Sequence, residues 1–498
     1  MNEKKRAKCI FIQGTMSNVG KSIITAGLCR IFAQDGYKVA PFKSQNMANN
    51  SFVTTDGLEI GRAQAMQAFA AGAEPDACMN PILLKPTDDC GSQVVVMGKP
   101  VGNMPAREYF ECKKSLIPVI MQAYEKLLAE YDIIVIEGAG SPAEINLREN
   151  DIVNMGLANM IDAPVLLVGD IDRGGVFAQL CGTLDLLSDD ERKRVKGLVI
   201  NKFRGDVSLL QPGIDQLIAK CRCPVTGVVP FIDLNLDDED SLSERFAPKA
   251  AGLFDIAVVK LSHIANFTDL DTFAQIKDVS VRYATRPGEL AGADLIVIPG
   301  SKNTIDDMRR LRENHMADAI VSAASSGTPV IGICGGFQML GQSIEDPDNT
   351  EAGGSIEGLG LLPVRTVLAK EKTRKQFEGS IVSATGVLSP LSGCRVKGYE
   401  IHMGKTQCIE ELTPFTSNNS GYCRGNVYST YVHGLFDTKD VAALTIESVA
   451  KEAGKTIDTA AVTDLDDYRN GQFDMLSDVL RGSLDMKAVY KMMGMEHD

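Results

Sequence analysis

Short apolar runs recur along this sequence, and each is followed by a longer stretch that is compatible with a helix. In the first half they are CIFIQG at 9–14, IIVIEG at 133–138, VLLVGD at 165–170 and GLVINK at 197–202. Runs of this kind are typical of parallel strands that are buried on both faces and alternate with helices. The sequence therefore predicts an α/β fold with a parallel sheet in its N-terminal half.

A second series of apolar runs begins after a polar segment at 232–252, and it consists of FDIAVVK at 254–260, DLIVIPG at 294–300 and PVIGICGG at 329–336. We interpret the polar segment as a domain edge, although a solvated loop inside one domain is the alternative. The predicted domains are 1–250 and 251–440. Residues 441–498 are interpreted as a helical C-terminal tail without a chemical motif.

Composition excludes several classes of protein. The 498 residues are enough for two or more domains, each with its own core, and 51 Lys and Arg against 65 Asp and Glu give a net charge of −14. This acidic balance argues against general nucleic-acid binding. The 12 cysteines contain no CxxC pair, and no apolar run is long enough to span a bilayer. We therefore expect a cytoplasmic protein without nucleic-acid or membrane partners.

A glycine-rich segment joins the first apolar run to a helix-compatible stretch. Its sequence GTMSNVGKS, residues 14–22, gives the order strand, loop, Lys-Ser and helix that is typical of a P-loop. Such a loop surrounds phosphate oxygens with backbone N–H groups and a lysine. Five residues, not four, separate Gly14 from Gly20, so the standard spacing fails there and a chance turn is the alternative. The predicted ATP-binding residues are Gly14, Thr15, Asn18, Val19, Gly20, Lys21 and Ser22.

Polar side chains end other strands of the same predicted sheet. Glu137 follows an apolar run and precedes a Gly-Ala-Gly turn, so Glu137 and the Ser22 hydroxyl are the predicted ligands of Mg²⁺. A helix-capping role is the alternative for Glu137. Asn201 ends another run, where it either contacts the nucleotide or caps a turn.

Cys334 lies between glycines at a predicted junction of strand and helix, in PVIGICGGFQML. Small neighbours permit the sharp turn that presents a nucleophile, and the helix N-terminus favours a thiolate. A thiolate nucleophile needs a base, and the chain has five histidines. His433 follows an alternating aromatic strand and precedes a glycine, so we predict it as the base in preference to His402.

Taken together, these motifs resemble the cobyric acid synthases, the glutamine-dependent amidases of cobalamin biosynthesis. The resemblance covers nearly the whole chain and rests on segments that include GTMSNVGKS, QNMANNSFVTTDGLEIGRAQAMQA, EGAGSPAEINL, DIDRGGVFA, GICGGFQML and YVHGLFD. It implies a dethiobiotin synthetase-like P-loop domain, whose relatives share the longer loop spacing, followed by a class I glutamine amidotransferase-like α/β domain.

The resemblance also implies the reaction and the roles of residues. A glutamine-hydrolysing, ATP-dependent carbon–nitrogen ligase of this kind amidates the b, d, e and g carboxylates of adenosylcobyrinic acid a,c-diamide. Cys334 would be the nucleophile and His433 its base, with Gly300 and Gly335 as oxyanion donors and Gln338 as a contact to glutamine. Class I glutaminases usually place a Glu two residues after this His, but Leu435 stands there, which leaves the group that orients His433 open between Glu400 and another residue.

A polycarboxylate substrate requires local positive charge in a chain that is acidic overall. The basic residues in family-like motifs are the candidates to bind it, each with an exposed solubilising role as its alternative: Lys43, Arg62, Lys85, Arg148, Arg173 and Arg204. Two other functions compete with this one. They are cobyrinic acid a,c-diamide synthase and a regulatory P-loop ATPase whose second domain only binds a partner.

Overall fold

The four apolar runs of the N-terminal half form adjacent strands of one parallel sheet in the computed structural model, which describes residues 7–86, 91–234, 236 and 251–496. The sheet has six strands in the order Val225–Pro230, Val195–Phe203, Val165–Asp170, Lys8–Gly14, Ile133–Glu137 and Val39–Phe42. All neighbouring pairs are parallel. Because the carboxyl ends of parallel strands lie at one edge, the P-loop and the strand-end residues Glu137, Asp170 and Asn201 share that edge.

This sheet is the centre of a first unit made of Met1–Ala48, Leu58–Leu242 and Arg469–Asp498. A four-stranded sheet belongs to the same unit and has the order Gln45–Met47, Ile82–Pro86, Gly91–Val96 and Lys99–Pro105. Glu59–Gly61 is a further short strand. The α-helices are Lys21–Gln34, Arg62–Ala70, Ala106–Cys112, Ile117–Glu130, Met155–Ile161, Val176–Leu186, Asp189–Arg194, Val207–Cys221, Leu465–Ser483 from residue 469 onward, and Met486–Met492.

The second unit, Asn49–Gly57 and Ser243–Tyr468, contains the second series of apolar runs. Its main sheet has the order Val279–Ala284, Phe254–Val259, Leu295–Ile298, Val330–Ile333, Val427–Thr430, Tyr422–Arg424 and Thr413–Pro414. The first five strands are parallel to one another. Tyr422–Arg424 pairs antiparallel with Val427–Thr430, and Thr413–Pro414 pairs antiparallel with Tyr422–Arg424. The α-helices of this unit are Thr304–Glu313, Met316–Ser325, Gly335–Leu340 and Lys439–Glu452.

A second sheet in this unit has the order Gly354–Glu357, Ser343–Asp346, Val364–Ser380, Arg395–Cys408 and Val432–His433. Ile264–Ala265 pairs with Gly300–Ser301, and Ser51–Val53 is a further short strand. A 3-10 helix spans Phe267–Gln275. The predicted fold class, an α/β domain with a parallel sheet in each half of the chain, is confirmed.

The predicted helical tail, residues 441–498, is divided between the two units at residue 468. The helix Lys439–Glu452 buries Val441, Ile446 and Val449 in the core of the second unit. Residues after 468 pack instead on the first unit, where Leu476 and Leu480 lie against the helix Lys21–Gln34. The sequence shows that these stretches are amphipathic but not which core their apolar faces cover. The predicted boundary near residue 250 lies outside the described residues.

Within the described part of the chain, no helix is long and apolar enough to cross a membrane.

Candidate active sites

The glycine-rich loop after strand Lys8–Gly14 is closed by Gly20, whose φ of +94° lies in the left-handed region. A Cβ at this position would lie 2.3 Å from Asn201 Nδ2, so the site demands glycine for its space as well as for its backbone conformation. The same Asn201 nitrogen donates to the carbonyl of Val19 at 2.7 Å. Asn201 therefore braces the loop in this structure, and its amide is directed at the loop backbone instead of toward a base.

A second strand-end residue also supports the loop. Lys202 Nζ donates to the carbonyl of Asn18 at 2.6 Å and lies 3.1 Å from Asp170 Oδ2. Within the loop, Thr15 Oγ1 donates to Oε1 of Gln179, in helix Val176–Leu186, at 3.2 Å. The loop conformation is thus supported by side chains from strand Val195–Phe203 and from helix Val176–Leu186, which is consistent with a preformed site for phosphate.

Glu137 lies at the centre of a buried polar cluster beside this loop. Ser22 Oγ donates to Glu137 Oε1 at 2.9 Å, and Lys43 Nζ donates to the same oxygen at 2.8 Å. Gln67 donates its amide to the other oxygen at 2.5 Å. Burial alone would raise the pKa of the Glu137 carboxyl, but the charge and hydrogen bond of Lys43, with Gln67 and the charge of Lys21, hold it below its ordinary value. Glu137 is therefore a carboxylate at neutral pH.

The donor set of Ser22 and Glu137 fits Mg²⁺, because the ion prefers hard oxygen ligands and commonly uses one or two protein groups together with substrate phosphates. The described residues contain no group of three or more His, Cys, Asp or Glu that could hold a metal without such phosphates. When bound, the ion would neutralise phosphate charge. Lys43, predicted as a substrate contact, lies in the same cluster through its bond to Glu137.

The other predicted substrate cations occupy varied environments in the first unit. Lys85 is buried in an ion pair with Glu59 at 2.5 Å, a placement that makes it part of the core. Arg148 pairs with Glu191 at 2.6 Å. Arg62 is buried, Arg173 is exposed, and Arg204 pairs with Asp172 at 3.0 Å while its guanidinium lies over the Phe231 ring. These cations have different partners in the structure, and their role as substrate contacts stays a prediction.

Cys334 lies at the sharp turn between strand Val330–Ile333 and helix Gly335–Leu340. Its φ of +53° is unusual for a residue with a side chain, and its backbone N–H is held by the carbonyl of Thr430 at 2.8 Å. Such strained positions cluster at active sites because the surrounding structure must hold them. The thiol lies 3.6 Å from the carbonyl of Ile401, and Cys334 as a residue is 8% exposed. The predicted strand-to-helix turn is present and presents the thiol within the second unit.

His433 is buried in the same unit and is oriented by a carboxylate that sequence reasoning missed. Its Nδ1 lies 2.8 Å from Asp269 Oδ2, and the other oxygen of Asp269 accepts from the Gly434 N–H at 2.9 Å. Burial alone would lower the pKa of His433, but the charge and hydrogen bond of Asp269, together with Cys334, raise it above its ordinary value. This arrangement of Cys334, His433 and Asp269 is the one that a cysteine nucleophile, a histidine base and an orienting carboxylate require.

Asp269 is 164 residues from His433 and belongs to no catalytic motif. One signal could have found it. The segment that contains Asp269 follows strand Phe254–Val259, whose carboxyl end lies at the same sheet edge as that of the Cys334 strand. Because Leu435 replaces the usual Glu after His433, a substitute carboxylate could have been sought in the segments that follow the parallel strands of this sheet.

Glu400 does not orient His433, because it accepts from His402 Nε2 at 3.2 Å. His402 also faces the carbonyl of Gly404 at 2.9 Å and stacks on Tyr431 with ring centroids 3.7 Å apart. His433 as the base in preference to His402 stays a prediction. Leu435 is fully buried.

The predicted oxyanion and glutamine contacts lie close to this centre. A Cβ on Gly300 would lie 3.4 Å from His433 Cε1, and one on Gly335 would lie 2.7 Å from the backbone nitrogen of Ser301. Gln338 is buried, and its amide accepts from Thr304 Oγ1 at 3.0 Å while donating to the Tyr431 hydroxyl at 3.3 Å. Both ends of this amide are fixed, so Gln338 presents one orientation to the site.

Comparison with known proteins identifies the family to which the chain belongs. Residues 10–241 match the CobQ/CobB/MinD/ParA nucleotide binding domain, and residues 255–441 match the CobB/CobQ-like glutamine amidotransferase domain. A cobyric acid synthase of Ruminiclostridium cellulolyticum is 54% identical over 97% of this chain and 97% of its own length. This chain belongs to the cobyric acid synthase family.

Other members of the cobyric acid synthase family match over similar lengths. The cobyric acid synthase of Lachnoclostridium phytofermentans is 52% identical, covering 98% of this chain and 99% of its own. The one from Photorhabdus laumondii is 48% identical, covering 97% and 98%. Like the family, the chain is an ATP-dependent glutamine amidotransferase, which confirms the predicted enzyme class and does not favour a regulatory ATPase.

Proposed function

We propose that this chain amidates the b, d, e and g carboxylates of adenosylcobyrinic acid a,c-diamide with nitrogen from glutamine, consuming ATP at each step. The observation that carries the proposal is the presence of two sites in one family chain. A P-loop with Lys21, Ser22 and Glu137 lies in the first unit, and Cys334, His433 and Asp269 lie together in the second. The names of the relatives support the corrinoid substrate.

In the second unit, the proposed reaction is glutamine hydrolysis. Cys334 attacks the side-chain amide carbon, the carbon–nitrogen bond breaks, and the proton carried by His433 leaves with ammonia. Water then cleaves the glutamyl thioester and regenerates the thiol. Asp269 keeps His433 in the tautomer whose Nε2 serves Cys334. The backbone N–H groups of Gly300 and Gly335 stabilise the negative oxygen of the intermediate.

In the first unit, the proposed reaction activates a carboxylate. A carboxylate oxygen of the corrinoid attacks the terminal phosphorus of ATP, which gives ADP and an acyl phosphate. Ammonia then displaces phosphate and forms the amide. Lys21 and the loop N–H groups would stabilise the charge on the transferred phosphoryl group, and Mg²⁺ held by Ser22 and Glu137 would neutralise phosphate oxygens.

We also place the enzyme in the cytoplasm. Every cysteine in the described ranges is a free thiol, as expected in a reducing compartment.

Incubation with the proposed corrinoid, ATP and either glutamine or ammonium tests the substrate and the nitrogen source together. Each amidation replaces one hydroxyl by an amino group, so mass spectrometry counts the steps. We expect a final product with four new amides from either nitrogen source. A product that stops at fewer than four amides under exhaustive conditions would contradict the assigned regiochemistry.

A parallel incubation with cobyrinic acid tests the competing function, cobyrinic acid a,c-diamide synthase. That enzyme would form a diamide from cobyrinic acid and leave its own product unchanged. The proposal expects the opposite preference, measured as kcat/KM for the two corrinoids.

A further inference from the structure

A short segment of the N-terminal half belongs to the second unit. Asn49–Gly57 lies in sequence between strands Gln45–Met47 and Glu59–Gly61 of the first unit, yet its contacts assign it to the second. Tyr399 donates its hydroxyl to the carbonyl of Ser51 at 3.2 Å, and Phe52 packs on the Tyr399 ring. Val53 is fully buried against Tyr399 and Ile401. Tyr399 in turn stacks on His433 with ring centroids 5.3 Å apart.

This segment fixes the side chain of Asn266. The Ser51 N–H donates to Asn266 Oδ1 at 3.1 Å, and the Asn266 N–H donates to Asn50 Oδ1 at 2.7 Å. Asn266 itself has a left-handed backbone with φ of +52° and precedes the 3-10 helix that carries Asp269. Because Ser51 offers a donor, the oxygen of the Asn266 amide must face it, and the amide nitrogen must face the other way.

The amide nitrogen of Asn266 lies 3.3 Å from His433 Nε2. The Nδ1–H of His433 donates to Asp269, so Nε2 is the atom that must take the proton of Cys334. An amide NH₂ can donate to a neutral Nε2 but not to one that already carries a proton. Asn266 therefore opposes protonation of His433, whereas Asp269 on the other ring nitrogen favours it.

We propose that Asn266, oriented by Asn50 and Ser51, restrains protonation of His433 and thereby raises the pH at which Cys334 becomes a thiolate. Asn266 is a positioning residue in this account, because it acts on Cys334 through the imidazole. The inference rests on the proposed roles of Cys334 and His433. Since both ends of Asn49–Gly57 continue into strands of the first unit, the chain connects that unit covalently to a group beside the glutaminase base.

Other titratable and charged groups near His433 also influence its protonation. In the described part of the chain, the imidazole contacts the titratable side chains of Asp269, Cys334 and Tyr399. Glu400, opposite Val432 on the neighbouring strand, is hydrogen-bonded to His402 and Asn418 and lies 3.5 Å from Lys375. Because Asn266 is uncharged, its substitution tests the hydrogen bond to His433 without changing these charges.

The pH dependence of Cys334 alkylation tests the proposal directly. The full-length protein is treated with iodoacetamide across a pH series, and the Cys334 peptide is quantified by mass spectrometry. We expect Asn266→Ala to lower the midpoint by about one pH unit, the scale of one lost hydrogen bond. Asn50→Ala should lower it less, because the Ser51 contact remains. Asn266→Gly gives the same test without backbone strain.

Asn419→Ala is a matched control. Asn419 is exposed and has a similar left-handed φ of +55°, so its loss carries the same backbone cost without touching the site. We expect it to leave the midpoint unchanged.

An unchanged or higher midpoint in folded Asn266→Ala and Asn266→Gly would overturn the inference. Cys334→Ser separates this failure from failure of the proposed function. If that variant loses glutamine hydrolysis while the midpoint does not respond to Asn266, only the restraint is wrong. If Cys334→Ser still hydrolyses glutamine, the proposed nucleophile is wrong, and the inference fails with it.

Discussion

His433 is hydrogen-bonded through Nδ1 to Asp269, 2.8 Å away, and both side chains are buried. A carboxylate in this position stabilises the imidazolium, and the imidazolium stabilises the Cys334 thiolate. Activity then begins at the pH where the ion pair forms and ends where His433 loses its proton. The raised pKa of His433 places that loss above the ordinary range of histidine.

Asp269→Asn should narrow this pH profile from both sides. Without the carboxylate the pKa of His433 falls, so the alkaline limb moves to lower pH, while the thiolate loses its cationic partner and the acid limb moves to higher pH. We also expect kcat for glutamine hydrolysis to drop on the order of 10²-fold. Steady-state glutaminase assays over a pH series measure both effects.

Glu400→Gln is the comparison for that variant, since Glu400 is buried on the neighbouring strand but hydrogen-bonded to His402. If the acid and alkaline limbs of the pH profile moved equally in Asp269→Asn and Glu400→Gln, the specific role of Asp269 would be contradicted.

Glu137→Gln should impair the first unit alone. Glu137 accepts from Ser22 and Lys43, and loss of its charge removes a Mg²⁺ ligand in the proposed function. We expect amidation to fall on the order of 10²-fold with glutamine and with ammonium, whereas glutamine hydrolysis continues. Glu130→Gln, at the exposed end of helix Ile117–Glu130, should change neither activity.

For single residues, the local sequence predicts the backbone conformation well when that conformation depends on the residues next to it in the chain. Cys334 is an example, because Gly335 and Gly336 follow it directly and permit its sharp turn, and Gly20 is another, because glycine itself adopts the positive φ that the loop needs. Asp269 and Asn266 act through side chains that are distant in sequence, and no local pattern marks them. Asn201 is predicted to contact the nucleotide or to cap a turn, and its bond to Val19 was not predictable because it depends on how two strands align.

Among the elements, the P-loop helix Lys21–Gln34 is covered by the helix Leu465–Ser483. Gly27 permits the close approach, because a Cβ there would lie 2.3 Å from Leu480 Cδ1. Arg30 pairs with Asp474 at 2.8 Å, and Arg481 pairs with Asp35 at 2.7 Å. The C-terminal helix therefore completes the core of the nucleotide-binding unit.

Leu480→Ala should destabilise that unit. Leu480 is fully buried, and truncation of a buried leucine lowers the free energy of unfolding by about 2–5 kcal/mol. We expect a lower midpoint in urea and earlier loss of nucleotide binding. Met475→Ala, on the same helix but 49% exposed, should change the midpoint little. Equal midpoints for the two variants would show that the helix does not contribute to this core.

The strands of both sheets were predictable because a buried parallel strand is a short, continuous apolar run. The placement of the C-terminal helices was not predictable. An amphipathic sequence shows that one face of a helix is buried, but it does not show which part of the protein that face packs against. The same limit applies to Asn49–Gly57, whose polar sequence gives no sign that it belongs to the second unit.

For the whole molecule, one chain of 498 residues contains a nucleotide-binding domain and a glutamine amidotransferase domain. Its net charge of −14 is unfavourable for an anionic corrinoid, so local cations must offset it. Lys43, one of the predicted cations, pairs with Glu137 beside the P-loop, whereas Lys85 pairs with Glu59 inside the core.

The central claim is that the second unit supplies ammonia for amidation in the first. Product mass from the Cys334→Ser variant, with ATP, adenosylcobyrinic acid a,c-diamide and either glutamine or ammonium at raised pH, tests it most directly. The account predicts four amidations with ammonium and none with glutamine, while the unaltered protein uses both. Normal use of glutamine by Cys334→Ser, or loss of amidation with ammonium in the folded variant, would contradict it.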